Sequence, residues 1–168
     1  MVLRKLDGAV PSVHEDAYVD EAAVVVGDVT IEKDASVWPN ATLRGDSEPI
    51  VVREGANVQD NAVCHEAAVV GPYATVGHTA IVHSATVGER ALVGMGAVVL
   101  DDATVGDRAL VAAGSVVTEG TDIPPETLAA GTPAEVVKEV PESPWTEAAD
   151  TYVARAKRYA EESEVVED

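Results

Sequence analysis

Phenylalanine is absent from the 168-residue chain, and aromatic residues make up only 4% of it. A thick globular core usually draws much of its volume from aromatic rings. Hydrophobic residues still reach 46%, so this core has to be built from small aliphatic side chains, chiefly Val and Ala. That favours a thin, regular architecture. Positive charge is scarce as well. Eleven Lys and Arg face 30 Asp and Glu, the net charge is −19, and Lys occurs only four times. Phosphate binding needs a basic surface, so nucleic acid is excluded as a partner, and an anionic membrane surface for the same reason. The acidic residues are spread along the chain and read as a solvated surface. Their excess resembles that of proteins from salt-accumulating halophiles, where salt screens self-repulsion. With Cys64 as the only cysteine, no intrachain disulfide can form. No stretch approaches a membrane-spanning length. Met1 to Val10 lack the apolar run of an export signal, so the expected location is cytoplasmic.

What is present is a repeat. Val19, Val25, Ile31, Val37 and Leu43 fall six residues apart. Val58, Cys64, Val70, Val76 and Val82 form a second run, and after one five-residue step Val87 to Val117 form a third. Two positions before these residues stands nearly always an alanine, with Val29 and Ser115 as exceptions. Period six suits neither an amphipathic helix nor a two-layer sheet. It suits a chain that makes a short strand, turns a corner and repeats, three edges closing a triangular coil of 18 residues. Coils then stack as parallel strands roughly 4.8 Å apart, with the aliphatic residue inward. Glycines at 27, 45, 71, 77, 88, 94 and 106 are expected at turns that need positive φ. The fold class is therefore all-β, a parallel β-helix over residues 1–142 with an N-terminal entry segment. The register breaks at Arg44-Gly45-Asp46-Ser47-Glu48-Pro49-Ile50, which carries three extra residues and is a candidate functional loop. After Val117 the pattern stops, and Ile123 to Pro133 reads as an irregular extended connection. Ser143-Pro144 then offers an N-cap with Pro at the first helical position. Trp145, Ala149, Tyr152, Ala156 and Tyr159 follow helical spacing. Residues 143–168 are expected to be a C-terminal α-helix and an acidic tail.

Three of the four histidines, His65, His78 and His83, fall in a 19-residue window. Imidazole is the commonest metal ligand. His65 and His83 are 18 residues apart, one full coil, and each directly follows an inward residue, Cys64 and Val82. They are expected to stack on adjacent coils, pointing outward. His78 occupies a different place in its hexad, and five extended residues reach roughly 16 Å. One chain would struggle to bring three nitrogens to roughly 2.0–2.1 Å from one ion. A threefold-symmetric homotrimer resolves this, with His78 of one subunit meeting His65 and His83 of the next. Cys64, at an inward position, is core rather than ligand, and His14 lies outside the window.

The chain resembles the γ-class carbonic anhydrase family over residues 10–140. The resemblance is carried by Val37-Trp38-Pro39-Asn40-Ala41-Thr42-Leu43-Arg44-Gly45-Asp46, by Asn57-Val58-Gln59-Asp60-Asn61, and by Cys64-His65, Val76-Gly77-His78 and Val82-His83. Val93-Gly94-Met95-Gly96-Ala97 and Gly131-Thr132-Pro133-Ala134 complete it. It implies a left-handed β-helix, a handedness that periodicity does not give. It also implies that the three histidines hold Zn²⁺, or alternatively Fe²⁺ or Co²⁺, at the interfaces of a homotrimer. The implied reaction is reversible hydration of CO₂ to bicarbonate by metal-bound hydroxide. Gln59 would hydrogen-bond the water or substrate, with Asn57 orienting it. Arg44 would pair with Asp46 or Asp60 across the interface and help hold bicarbonate. The chain departs from the best-studied members, whose acidic loop between the first two metal histidines supplies a proton-transfer glutamate. Here His78 follows His65 by only 13 positions in unbroken register. Two other readings share the repeat: an acyltransferase or thioesterase acting on a coenzyme A thioester, and a non-catalytic trimeric metal-binding scaffold.

Overall fold

Every inward position named above except Val19, which is partly buried in the first coil, is buried in the computed structural model, which describes residues 1–164 and 166. Val25, Val37, Val58, Val70, Val76, Val82, Val87, Val93, Val99, Val105 and Val111 are fully inaccessible, and so is Cys64. Burying a valine contributes roughly 1.5–3 kcal/mol, so the column of them dominates the folding energy. From Ala23 onward the alanines two positions earlier are buried too, where the corner leaves no room for more than a methyl group. The chain winds as a left-handed parallel β-helix of about seven turns.

Three faces result. The first stacks Tyr18–Val19, Ser36–Val37, Asn57–Val58, Thr75–Val76, Leu92–Val93 and Leu110–Val111. The second carries Val63–His65, Ile81–His83, Val98–Val99 and Val116–Val117. The third carries Val69–Val70, Thr86–Val87 and Thr104–Val105. In the early coils Val24–Ile31 and Thr42–Val52 run unbroken through a corner and belong to both the second and third faces. There Gly27 pairs with Gly45 but Val29 pairs with Ile50, so the three extra residues bulge outward as the sequence requires.

Two expectations are corrected. Of the seven glycines, only Gly27 has a left-handed φ, +77°. The left-handed corners are held instead by Asn40, Asn61, Thr79, Arg90 and Arg108, among others. The amides of Asn61, Thr79, Arg90 and Arg108 are satisfied by the preceding coil, as when Thr79 N donates to Asp60 O at 2.9 Å. The glycines serve close approach: a Cβ on Gly77 would lie 2.9 Å from the Met95 backbone nitrogen. The coil also does not stop at Val117. Asp122–Ile123 and Thr127–Gly131 add further rungs, with Leu128 and Ala129 in register with Leu110 and Val111. The irregular stretch is thus a coil whose inward residue has shrunk to Ala129. An antiparallel strand, Ala134–Glu139, then caps that end.

Ser143 Oγ accepts from Trp145 N and starts a 3₁₀ turn, Pro144–Glu147, that leads into the helix Ala148–Glu162. The helix lies on the first face over its early coils, seating Ala149 and Ala156. Trp38 is its anchor, with ring centroids 5.3 Å from Tyr152 and 5.1 Å from Tyr159. Of the acidic tail, 165, 167 and 168 lie outside the described residues. No helix among the described residues is long and apolar enough to cross a membrane.

Candidate metal centre

His65 and His83 end their strands on the second face, each one residue past an inward side chain. Their backbones pair in register, and their rings meet edge to face with centroids 4.9 Å apart at 66°. Arg44 is the next rung of the same ladder, paired with His65. Its Nη2 lies 2.8 Å from His65 Nε2. A guanidinium can only donate, so Nε2 accepts with its lone pair and the ring proton belongs on Nδ1. Arg44 Nε also reaches Asp46 Oδ2 at 3.0 Å. The bulge presents Asp46 to this edge. Glu66, at a corner with φ +45°, places Oε1 3.2 Å from His65 Nε2. Its Oε2 accepts from Glu48 N at 3.1 Å, which ties bulge to corner.

The donor atoms of Asp46, His65 and Glu66 all lie within 4.8 Å of one another. Two carboxylates and the His65 ring surround the Arg44 guanidinium here, and an ion on His65 Nε2 would displace Arg44 from that lone pair. Imidazole and carboxylate are ligands suited to first-row divalent metals, so these residues fit a metal ion.

His78 stands at the opposite edge of the second face, at the corner entered through Gly77. Its Nδ1 lies 2.9 Å from Asp60 Oδ2. Its backbone N–H donates to Gln59 Oε1 at 3.2 Å, and Gln59 Nε2 donates to Asn57 Oδ1 at 3.1 Å. Asn57 in turn donates to Thr75 Oγ1 at 2.9 Å. Asn57, Gln59 and Thr75 are all buried on the first face, so this chain of amides fixes the His78 corner from beneath. His83 Nδ1 meets Asp101 Oδ1 at 2.6 Å.

The expected site residues thus divide into two groups. Arg44, Asp46, His65 and His83 share one edge; Asn57, Gln59, Asp60 and His78 share the other. Among the described residues the three histidines do not form one ligand set within a single chain. Arg44 turns to Asp46 and His65 of its own chain, while Asp60 is engaged by His78. Cys64 is core, and burial pushes its thiol up to about 12, far from a thiolate ligand at neutral pH. His14 is exposed and accepts from Asp16 N. Asp101 was not among the expected site residues. Asp60 lies one 18-residue coil before His78, but the coil above His83 has only 17 residues, pairing Val82 with Val99, so Asp101 falls one position past the His83 rung and spacing gives no signal for it.

The stacked parallel coils and the C-terminal helix define a hexapeptide-repeat protein of the left-handed β-helix class. The family model described as bacterial transferase hexapeptide (six repeats) matches residues 84–119. The "Probable carbonic anhydrase" of Methanocaldococcus jannaschii is 42% identical over 92% of this chain and 98% of its own. "Gamma carbonic anhydrase 2, mitochondrial" of Arabidopsis thaliana is 37% identical over 91% of this chain and 60% of its own. A solved hexapeptide transferase family protein from Anaplasma phagocytophilum superposes with a TM-score of 0.91 at 39% identity, covering 94% of this chain and 98% of that one. The chain belongs to the γ-class carbonic anhydrase family.

Proposed function

We propose that this protein is a metal-dependent carbonic anhydrase that interconverts CO₂ and bicarbonate at the interfaces of a homotrimer. The observation that carries the reading is the placement of the histidines at the two edges of one face. His65 and His83 are stacked at one edge and His78 stands at the other. Between them the outward residues Val63, Ile81, Val98 and Val116 form an apolar strip, with Ile81 37% exposed. Three such faces turned toward a common axis bury the strip and bring each His78 edge against the neighbour's His65–His83 edge.

In that arrangement His65 and His83 of one subunit and His78 of the next hold the ion, Zn²⁺ or alternatively Fe²⁺ or Co²⁺. The chemistry such an ion supplies when bound is to lower the pKa of water toward neutrality. The chain's own residues do the rest. Asn57 and the His78 amide fix Gln59, whose remaining amide N–H is left to hydrogen-bond a substrate oxygen. Arg44, steadied by Asp46, supplies the positive charge that holds bicarbonate. The segment between His65 and His78 is a regular coil and supplies no acidic loop; besides Asp60 and Asp101 on the histidines, the acidic groups are Asp46, Glu48 and Glu66 on the bulge and corner.

The test is metal analysis and solution mass of untagged protein, followed by stopped-flow CO₂ hydration in high salt. The expected result is a species of three 17.4-kDa chains with one ion per chain and hydration above buffer. His78→Ala is expected to lose the ion as fully as His65→Ala. A monomer holding one ion per chain would overturn the shared site, and full occupancy without hydration would overturn the reaction. One feature favours acyl transfer on a coenzyme A thioester instead: an apolar groove of about 480 Å³ beside Gln59, lined by Leu92, Met95, Leu110 and Trp145. Acetyl-CoA turnover by the metal-free protein would decide for it.

A further inference from the structure

Two of the three histidines carry a carboxylate on Nδ1, and in both cases it comes from a neighbouring coil. For His78 it is Asp60, one coil earlier. For His83 it is Asp101, one coil later. The second contact follows from the stacking. Val82 pairs with Val99, and Asp102 N donates to Ser84 O at 2.8 Å. Asp101 therefore enters the corner directly above the end of the His83 strand, and its side chain reaches back along the stack. The 2.6 Å separation is that of a charge-assisted hydrogen bond.

A neutral imidazole has one N–H and one lone pair, and a carboxylate can only accept. With Asp101 accepting from Nδ1–H, the lone pair of His83 has to be on Nε2. Resting on the carbonic anhydrase reading above, we infer that Asp101 is a positioning residue that sets the tautomer and ring plane of His83 and so presents Nε2 to the ion. It touches neither substrate nor ion. Its carboxylate is 47% exposed, so removing it leaves no hole in the core. Losing a hydrogen-bond partner of this kind lowers metal affinity by roughly 10–100-fold.

The experiment compares wild type, Asp101→Ala, Asp101→Asn and His83→Ala by chelator competition for Zn²⁺. Two further readouts accompany it: the visible spectrum of Co²⁺-loaded protein and long-range ¹H–¹⁵N NMR of the metal-free histidines. Asp101→Ala is expected to weaken affinity about 10–100-fold, to alter the Co²⁺ bands and to shift His83 from the Nδ1–H form. Asn keeps an acceptor oxygen, so Asp101→Asn is expected to retain most of the affinity and the wild-type tautomer. Thermal midpoints of both variants should match wild type. Unchanged affinity in Asp101→Ala overturns the inference, as does equal loss in both variants with the tautomer unmoved. Wild type that binds no metal defeats the carbonic anhydrase reading instead, and the NMR readout still reports the Asp101–His83 bond in that case.

Discussion

At the scale of single residues, Cys64 shows how the repeat constrains chemistry. It occupies the position that Leu43 fills in the preceding coil and Val82 in the following one, and it is fully buried. Desolvation disfavours its thiolate, so the folded pKa rises to about 12 against about 8.5 in an unfolded chain. The folded state therefore holds the proton that the unfolded state releases. The stabilising effect is complete below about pH 8.5 and is lost as pH rises toward 12, at up to about 1.4 kcal/mol per pH unit. Cys64→Val is expected to fold, because valine is the residue the site accepts elsewhere, and to show a shallower loss of stability between pH 9 and 11. Urea midpoints across that range measure it; equal slopes in the two proteins would mean the thiol titrates normally. The same inward register made His65 and His83 legible, since each is one residue past a buried side chain and one coil from the other. Asp101 was not legible by that route. A hexad register describes residues along the chain, whereas the Asp101–His83 bond runs across coils through a corner, where side-chain direction depends on backbone φ rather than on spacing. The approach of Glu66 to His65 likewise depends on the left-handed corner at 66 and 67.

At the scale of elements, the C-terminal helix separates sequence pattern from packing. Helical spacing puts Trp145, Tyr152 and Tyr159 on one stripe, yet they do not share one role. Tyr152 and Tyr159 sit edge-on against Trp38, whereas Trp145 lies in the 3₁₀ turn and is 64% exposed. The stripe turns away because the first helical turn winds as 3₁₀ and rotates Trp145 off the face of the α-helix. Trp38 also donates from Nε1 to Ser36 Oγ at 3.0 Å, so its ring is fixed before the helix docks. Trp38→Ala is expected to cost about 3–5 kcal/mol and to release the helix. Trp145→Ala should stay within about 0.5 kcal/mol of wild type in a lone chain. Urea denaturation with limited trypsin digestion at Arg155 and Lys157 compares the two. A protected helix in the Trp38 variant would show that Ala149, Ala156 and the Lys157–Asp34 pair hold it without the aromatic cluster. The strands and their register were readable almost to the residue, because each coil restates the same pattern. The last coil was not, because at its inward position alanine replaces valine and the periodic signal fades before the structure does.

At the scale of the whole molecule, the acidic surface opposes the compaction that the valine column drives. Thirty acidic residues against 11 basic ones leave an excess that no internal pairing can neutralise. The ion pairs present, such as Arg53–Glu32 at 2.7 Å and Arg90–Asp150 at 2.7 Å, are exposed or half-exposed. Each contributes about 0–1 kcal/mol and weakens with salt. Repulsion among the excess carboxylates weakens with salt as well, and it acts over many more pairs. The Debye length falls from about 10 Å at 0.1 M to about 3 Å at 1 M, which removes all but the nearest repulsions. The repulsive term therefore decides the sign: the thermal midpoint is expected to rise steadily from 0.1 M to 1 M KCl. The effect should be larger for a trimer, because closing three equally acidic subunits around one axis concentrates the charge while the apolar strip at Val63, Ile81 and Val98 supplies the attraction. On the proposed reading, in which His78 serves a neighbour's site, dissociation precedes unfolding at low salt and bound metal is lost in step with the trimer. Sedimentation velocity with metal analysis over a KCl series tests this directly. A trimer that persists at 0.1 M salt without its metal, or a monomer that keeps it, would uncouple the ion from the assembly.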